Sequence, residues 1–283
     1  MGKIALLSVW GILLAWAQPA RAEDISDLVK QAQAALAKGE TDQALKLAEQ
    51  AVATDDKSAQ AHLLRGTIYE ALRRHKDAIA DFDKTIASDP KAANAYDHRG
   101  SERLKLGQFT EAIKDFDTFL KFKPAEEPGH WRRGIAYYYA GRYDEGRKQF
   151  EGYEKVDTND VENAVWRYLC MARKDGVAQA RAAILKIGND RRVPMMEVYA
   201  LFSGKAQPED VLAAARAGKP SPEQLKERLF YAHLYLGLYH EAAGDKKKAA
   251  EHITKAADDY AIGHYMWDVA CVHRDLLRNK TTR

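Results

Sequence analysis

The feature that most constrains this 283-residue chain is a set of small and aromatic residues that recurs every 34 positions. Its clearest copy is Arg133–Phe150, RGIAYYYAGRYDEGRKQF. The spacing predicts a helix, a tight turn and a second helix. Gly134 sits in the middle of the first helix, where glycine is unfavourable. Close approach of another helix is the usual reason to accept that cost, and Tyr137 lies on the same face. Gly141 can take the left-handed conformation that ends a helix. Tyr143 and Asp144 begin the next helix, with Gly146 and Phe150 one turn apart on its inner face. The same positions hold Gly100, Gly107, Ala112 and Phe116 one period earlier, then Gly66, Arg73, Ala78 and Phe82, then Ala32, Gly39, Ala44 and Ala48. Gly237, Gly244, Ala249 and Ile253 repeat the pattern near the C-terminus, at three periods plus one residue. Pro90 and Pro124 end two of the units.

Each unit is a helical hairpin too small to bury its own apolar faces. Stacked neighbours share a continuous core, so several units are needed together. A period of this length with this small/aromatic pattern resembles the tetratricopeptide repeat (TPR) family over residues 25–158 and 230–263. The resemblance implies an all-α solenoid of helical hairpins, wound as a right-handed superhelix and closed by a C-terminal capping helix.

The chain is long enough for a substantial core. Its net charge is +3, and Lys3 and Arg21 of the leader account for two of those charges. No electrostatic footprint for nucleic acid remains. Lys246–Lys248 is flanked by Asp245 and Glu251 and reads as a solvated helix face. Cys170 and Cys271 are the two cysteines, too few for a disulfide scaffold and without metal-ligand spacing. A single bridge and two buried thiols are both open.

Residues 1–22 have the pattern of a secretory signal peptide. Lys3 is the basic start, the apolar run 4–17 is too short to span a bilayer comfortably, and Ala20-Arg21-Ala22 has the small-x-small cleavage pattern. This predicts cleavage after Ala22, a periplasmic or secreted protein, and no integral membrane segment after cleavage. Residues 23–158 are expected to form four hairpins, the first of them Ala-rich. From 159 to 229 the pattern degrades, with a helix over Val161–Ala172, a second over Val177–Ile187, and further helices opened by Pro194 and Pro208. Ser221-Pro222-Glu223-Gln224 reads as a capping box. Residues 230–263 restore the repeat. Residues 264–283 form an amphipathic capping helix and tail, with Met266, Val269, Val272 and Leu276 as its apolar stripe.

No catalytic motif survives inspection, so the chain is not read as an enzyme and no cofactor is implied. His240-Glu241-Ala242-Ala243 starts like a zinc-protease helix, but Gly244 stands where the second histidine is required. One alternative remains, a metal or catalytic site near His233, His240 and His264, with Asp268 as a further ligand. The main candidate is a surface. In a TPR-like stack the first helices line the concave side. On that side the fourth unit carries Trp131, Arg132, Ile135, Tyr138 and Tyr139. The third carries Asp97, His98, Ser101 and Lys105, and the last carries Tyr235 with Tyr231 nearby. Aromatic residues and arginine dominate interface energetics, so a protein or peptide partner is expected there. The alternative for Trp131 and Tyr138 is packing against the helix that bears Trp166. The lysine/asparagine clamp of co-chaperone TPRs is absent, with Leu63, Thr67, Asp97 and Ser101 at its positions.

Within the family, Arg133–Phe150, the run ending at Leu169 and Tyr231–Asp245 resemble the NlpI-like bacterial envelope proteins. That resemblance implies a non-enzymatic scaffold at the cell envelope, with a homodimer as one of its states. The chain departs from those proteins in having no lipid-anchor cysteine after its leader.

Overall fold

The structure is a computed structural model that describes residues 25–281. The leader and its cleavage site lie outside the described residues. Fifteen α-helices and no strand are found among the described residues. The helices are α1 (Ile25–Ala37), α2 (Thr41–Thr54), α3 (Ala59–Ala71), α4 (His75–Ser88), α5 (Ala93–Lys105), α6 (Phe109–Phe122), α7 (Trp131–Tyr139) and α8 (Tyr143–Gly152). They continue as α9 (Val161–Asp175), α10 (Val177–Ala182), α11 (Met195–Phe202), α12 (Pro208–Arg216), α13 (Pro222–Ala242), α14 (Lys246–Thr254) and α15 (Tyr265–Thr281). None is long and apolar enough to cross a membrane.

The first four pairs are antiparallel hairpins, and in the second to fourth a recurring glycine explains their closeness. A Cβ added at Gly66 would lie 2.7 Å from the Phe82 ring, one at Gly100 2.7 Å from Phe116, and one at Gly134 2.6 Å from Phe150. In α13 a Cβ at Gly237 would meet Ile253 of α14 at 2.5 Å. A side chain at any of these positions would have to displace the aromatic or branched residue that fills the hairpin. Gly141 turns one hairpin at φ +74°. The matching position of the second hairpin is Arg73, which holds a left-handed φ of 59° despite its side chain.

A second periodic feature binds the hairpins. Arg65, Arg99, Arg133 and Arg167 each precede the close-contact position by one residue, and each reaches a residue sixteen positions on. Arg65 donates to both oxygens of Asp81 and Arg99 to both oxygens of Asp115. Arg133 donates to Gln149 Oε1 at 2.8 Å and Arg167 to the Ala183 carbonyl at 2.6 Å. Forked arginine–carboxylate pairs add geometric specificity as well as energy. They fix the register of each pair.

The first helices of successive units touch one another, α1 with α3, α3 with α5 and α7 with α9. The stack therefore curves toward that face, which is concave.

After α9 the regular geometry fails, and one substitution explains where. Tyr168 occupies the position held by glycine in units two to four. It is buried and packs edge-on against Phe202 of α11. With a full ring there, a long second helix has no room alongside. The helix expected over 177–187 is accordingly only Val177–Ala182, and the chain runs on without helix to α11. Ser221 and Gln224 form the expected capping box, and α13 starts at Pro222, eight residues before the repeat pattern resumes. Leu229–Leu238 is buried on every side, as expected of a helix that is apolar all round.

The C-terminal helix does more than cap. α15 packs on α14 and on the π-helical turn Lys255–Asp259 through Met266, Val269, Ala270 and Val272, and Trp267 Nε1 donates to the Ala257 carbonyl at 2.8 Å. It also lies across the concave face. Tyr265 meets Trp131 edge-on at 5.2 Å and its hydroxyl donates to the Ser101 carbonyl. His273 hydrogen-bonds the Tyr139 hydroxyl at 3.0 Å. Arg73, from the second hairpin, pairs with Asp268 and stacks 4.2 Å over Trp267.

Cys170 and Cys271 are free thiols. Cys170 is buried against Gly146. Burial pushes the Cys271 thiol up to about 11 and the Cys170 thiol further, which disfavours the thiolate of both near neutral pH.

Candidate functional site

The residues expected along the concave side divide sharply once α15 is in place. Asp97, His98, Ser101 and Lys105 belong to a closed ion-pair ladder across units two to four. His98 Nδ1 contacts Glu70 at 2.8 Å, and Lys105 contacts Glu102 at 2.5 Å and Glu70 at 3.4 Å. His75 takes the other Glu102 oxygen at 2.6 Å. Asp97 accepts from His130 at 2.9 Å and from Arg132 at 2.7 Å, and Arg132 also reaches the Ser101 hydroxyl. Burial pushes Asp97 and Glu70 up, but the histidine hydrogen bonds and the Arg132 and Lys105 charges win and hold both below the usual carboxylate range. Tyr265 then lies over the ladder, with the Lys105 ammonium 5.1 Å from its ring centre. The polar patch is satisfied within the protein and roofed.

Ile135, Tyr138, Tyr231 and Tyr235 are buried. Tyr138 packs against Trp166 at 5.4 Å, Tyr139 and Tyr143, and Arg173 donates to its hydroxyl. The structure thus gives Tyr138 the packing role that the sequence left as its alternative. Tyr139 is stacked on Phe109. Burial raises the hydroxyl pKa of both tyrosines. Tyr235 donates to Glu162 at 2.5 Å, and Tyr231 contacts His264 at 3.3 Å.

Trp131 is different. It is half-buried and lines a cavity of about 200 Å³ with Ile135, Phe150, Tyr153, Asp160, Glu162, Asn163, Trp166, Arg192, His264 and Met266. The cavity lies where the regular repeats stop: α7 and α8 form one wall, the start of α9 another, and the chain entering α15 a third. Its floor is aromatic. Two of its buried side chains leave polar atoms without partners. Asn163 Nδ2 donates to the Phe150 carbonyl at 2.9 Å, but its Oδ1 is unpaired, and so is Trp166 Nε1. Both atoms are sealed within the packing around the cavity.

The cavity opens onto a polar hollow of about 630 Å³, which shares Tyr153, Asp160 and Arg192 with it and adds Asp157, Asn159, Asn189, Asp190 and Arg191. Arg192 ties the rim together, contacting Asp160 at 2.7 Å, Glu162 at 2.6 Å and Asp190 at 2.5 Å. Burial keeps Asp160 and Glu162 above their ordinary pKa despite this pairing, whereas the Arg192 hydrogen bonds outweigh burial at Asp190 and lower it. Burial, then Arg192, lowers His264.

The histidines of the alternative reading do not assemble. His264 faces Tyr231, Asp268 pairs with Arg73, and His233 and His240 instead meet His252. His233 Nδ1 lies 2.8 Å from His252 Nδ1, and His240 stacks on His252 at 5.5 Å. The described residues hold no group of three or more His, Cys, Asp or Glu placed to bind a metal ion.

Sequence reasoning reached Trp131 and Ile135 but missed Asn163, Tyr153, Arg192 and the α15 side of the pocket. One signal was available. Continuing the 34-residue count past Phe150 would have put Tyr168 in a glycine's place and flagged the break beside Asn163 and Trp166.

Comparison with known proteins agrees with this architecture. The tetratricopeptide-repeat family model matches residues 29–93 and 99–160. Those residues are tetratricopeptide repeats. Solved structures with the same fold include a TPR protein from Parabacteroides merdae, with 18% identity over 92% of this chain and 87% of that one, at a TM-score of 0.52. Another is YrrB, described as a TPR protein with an unusual peptide-binding site, with 19% identity over 56% of this chain and 82% of that one, at 0.53. A third is MamA, with 16% identity over 70% of this chain and 98% of that one, at 0.52. No curated protein sequence matches the chain significantly.

Proposed function

We propose that this protein is an exported, non-enzymatic scaffold that binds a protein or peptide partner on its concave side, at the pocket lined by Trp131, Ile135, Asn163 and Trp166, and that it works at the bacterial cell envelope. The observation that carries the reading is the pocket itself: a cavity lined by aromatic rings that opens onto an acidic hollow through Tyr153, Asp160 and Arg192. Tetratricopeptide repeats commonly bind partners on this side, and the description of YrrB as peptide-binding supports the same use here. Export rests on the signal-like leader, with Ala20-Arg21-Ala22 as its cleavage pattern. The envelope location rests on the resemblance to NlpI-like proteins, and a homodimer stays open on the same ground.

The test is site-specific photo-crosslinking. A photo-reactive amino acid replaces Trp131 in the full-length protein in cells, and replaces the exposed Glu111 of α6 as a control. A discrete protein adduct at position 131 and none at 111 is the expected result. Adducts confined to the protein's own α15, or equal at both positions, would contradict it.

A further inference from the structure

The rings of the cavity and the charge of the rim specify what the pocket accepts. Trp131, Phe150, Tyr153 and Trp166 surround the cavity with ring surface, which suits an apolar side chain. At the rim, Asp157, Asp160, Glu162 and Asp190 face two guanidinium groups, Arg191 and Arg192, leaving a net charge of −2. Glu227 approaches the same region from α13, near Tyr231 and His264. Arg192 is already shared among three carboxylates. Complementary potentials select partners and suppress wrong ones.

We propose that the pocket takes a basic peptide segment of a partner protein, with an apolar side chain on the aromatic floor and a lysine or arginine against the acidic rim. This rests on the pocket being the partner site and names the partner's chemistry. α15 is a wall of the site in this arrangement, since its apolar side is buried against α14.

The experiment uses the purified protein and an array of short acetylated, amidated peptides, each with a central Leu, Phe or Met flanked by Lys, by Gln or by Glu. Lys-flanked peptides are expected to retain about tenfold more protein than Glu-flanked ones, a difference of about 1.4 kcal/mol. The double variant Asp157→Asn/Asp160→Asn removes the rim's excess charge but keeps its local hydrogen bonds, since asparagine replaces aspartate at a turn and at an N-cap at little cost. It should melt like the wild type and lose the Lys preference. A Glu preference, no charge preference, or a Lys preference unchanged in the double variant would overturn the proposal. So would failure of every peptide to bind while the Trp131 crosslink succeeds, a result that leaves the scaffold reading standing. Failure of both would remove the two together.

Discussion

Residues 25–152 and residues 153–281 use the same building block to opposite ends. In the first half the second, third and fourth hairpins are near copies of one another: a glycine against a phenylalanine, an arginine reaching a partner sixteen residues on, a turn at the same offset. In the second half Tyr168 replaces the glycine, α10 is cut to six residues, and α15 runs back over the concave face. The regular half pairs its concave-side charges with one another, down to the Glu102 carboxylate buried between His75 and Lys105. The irregular half encloses a cavity lined by Trp131, Asn163 and Trp166 that opens onto an acidic hollow. The difference teaches that periodicity builds the frame and that the proposed site lies where the period fails. Violations of local consistency concentrate at functional places.

The largest expected effect comes from Tyr138, which sits at the junction of the two halves. Tyr138→Ala should cost about 3–5 kcal/mol of stability, as aromatic truncations in cores do. A thermal or denaturant melt reads it. A melt close to the wild type would mean that Tyr138 is surface and that the halves are not packed as described. Gly134→Leu should follow at about 1–3 kcal/mol from overpacking against Phe150. Gly141→Ala meets nothing within 4 Å and should lose only about 1–2 kcal/mol, through the left-handed backbone. Equal losses at 134 and 141 would break the claim that close packing sets the period.

Much of this frame was legible in the sequence, for a physical reason. Gly66, Gly100 and Gly134 recur because a Cβ there has no room, so packing writes itself directly into residue type. Gly141 and the Ser221 capping box are legible in the same way, each from local backbone chemistry. The site was legible only in part. Trp131 could be placed on the inner face by helical spacing. Its exposure depends on α15, more than a hundred residues away, and no local pattern states where α15 lies. The roof that Tyr265 makes over Asp97–Lys105, and the burial of Tyr231 and Tyr235, are long-range facts of the same kind.

The histidines of the irregular half give the next effect. Burial and then the neighbouring His252 lower His233 to about 4, while His240 and His252 are lowered in the same direction. An unfolded histidine titrates near about 6.5. The unfolded chain therefore binds more protons between these values, and stability contributed by neutral His233 is complete above about pH 6.5 and lost as pH falls toward about 4. Melting temperature measured across that window should fall, and His233→Phe should flatten the fall. An unchanged slope in the variant would mean that His233 is solvated.

The smallest change in melting is expected at Arg73, where two effects oppose. Arg73→Gly relieves the left-handed backbone, worth about 1–2 kcal/mol. It also removes the Asp268 pair and the Trp267 stack, a cation–π contact worth about 0.5–1 kcal/mol at an exposed site. Net stability should move little, while amide exchange in α15 accelerates. Unaltered exchange would show that the two halves hold α15 without this link.

The most direct test of the central claim is hydrogen exchange on the full-length protein with and without the partner captured at position 131. The account predicts slowed exchange at residues 160–166, 190–192 and 264–266, with residues 59–71 and 93–105 unchanged. Protection of those two helices, with the break between the halves unaffected, would place the site in the regular repeats and contradict it.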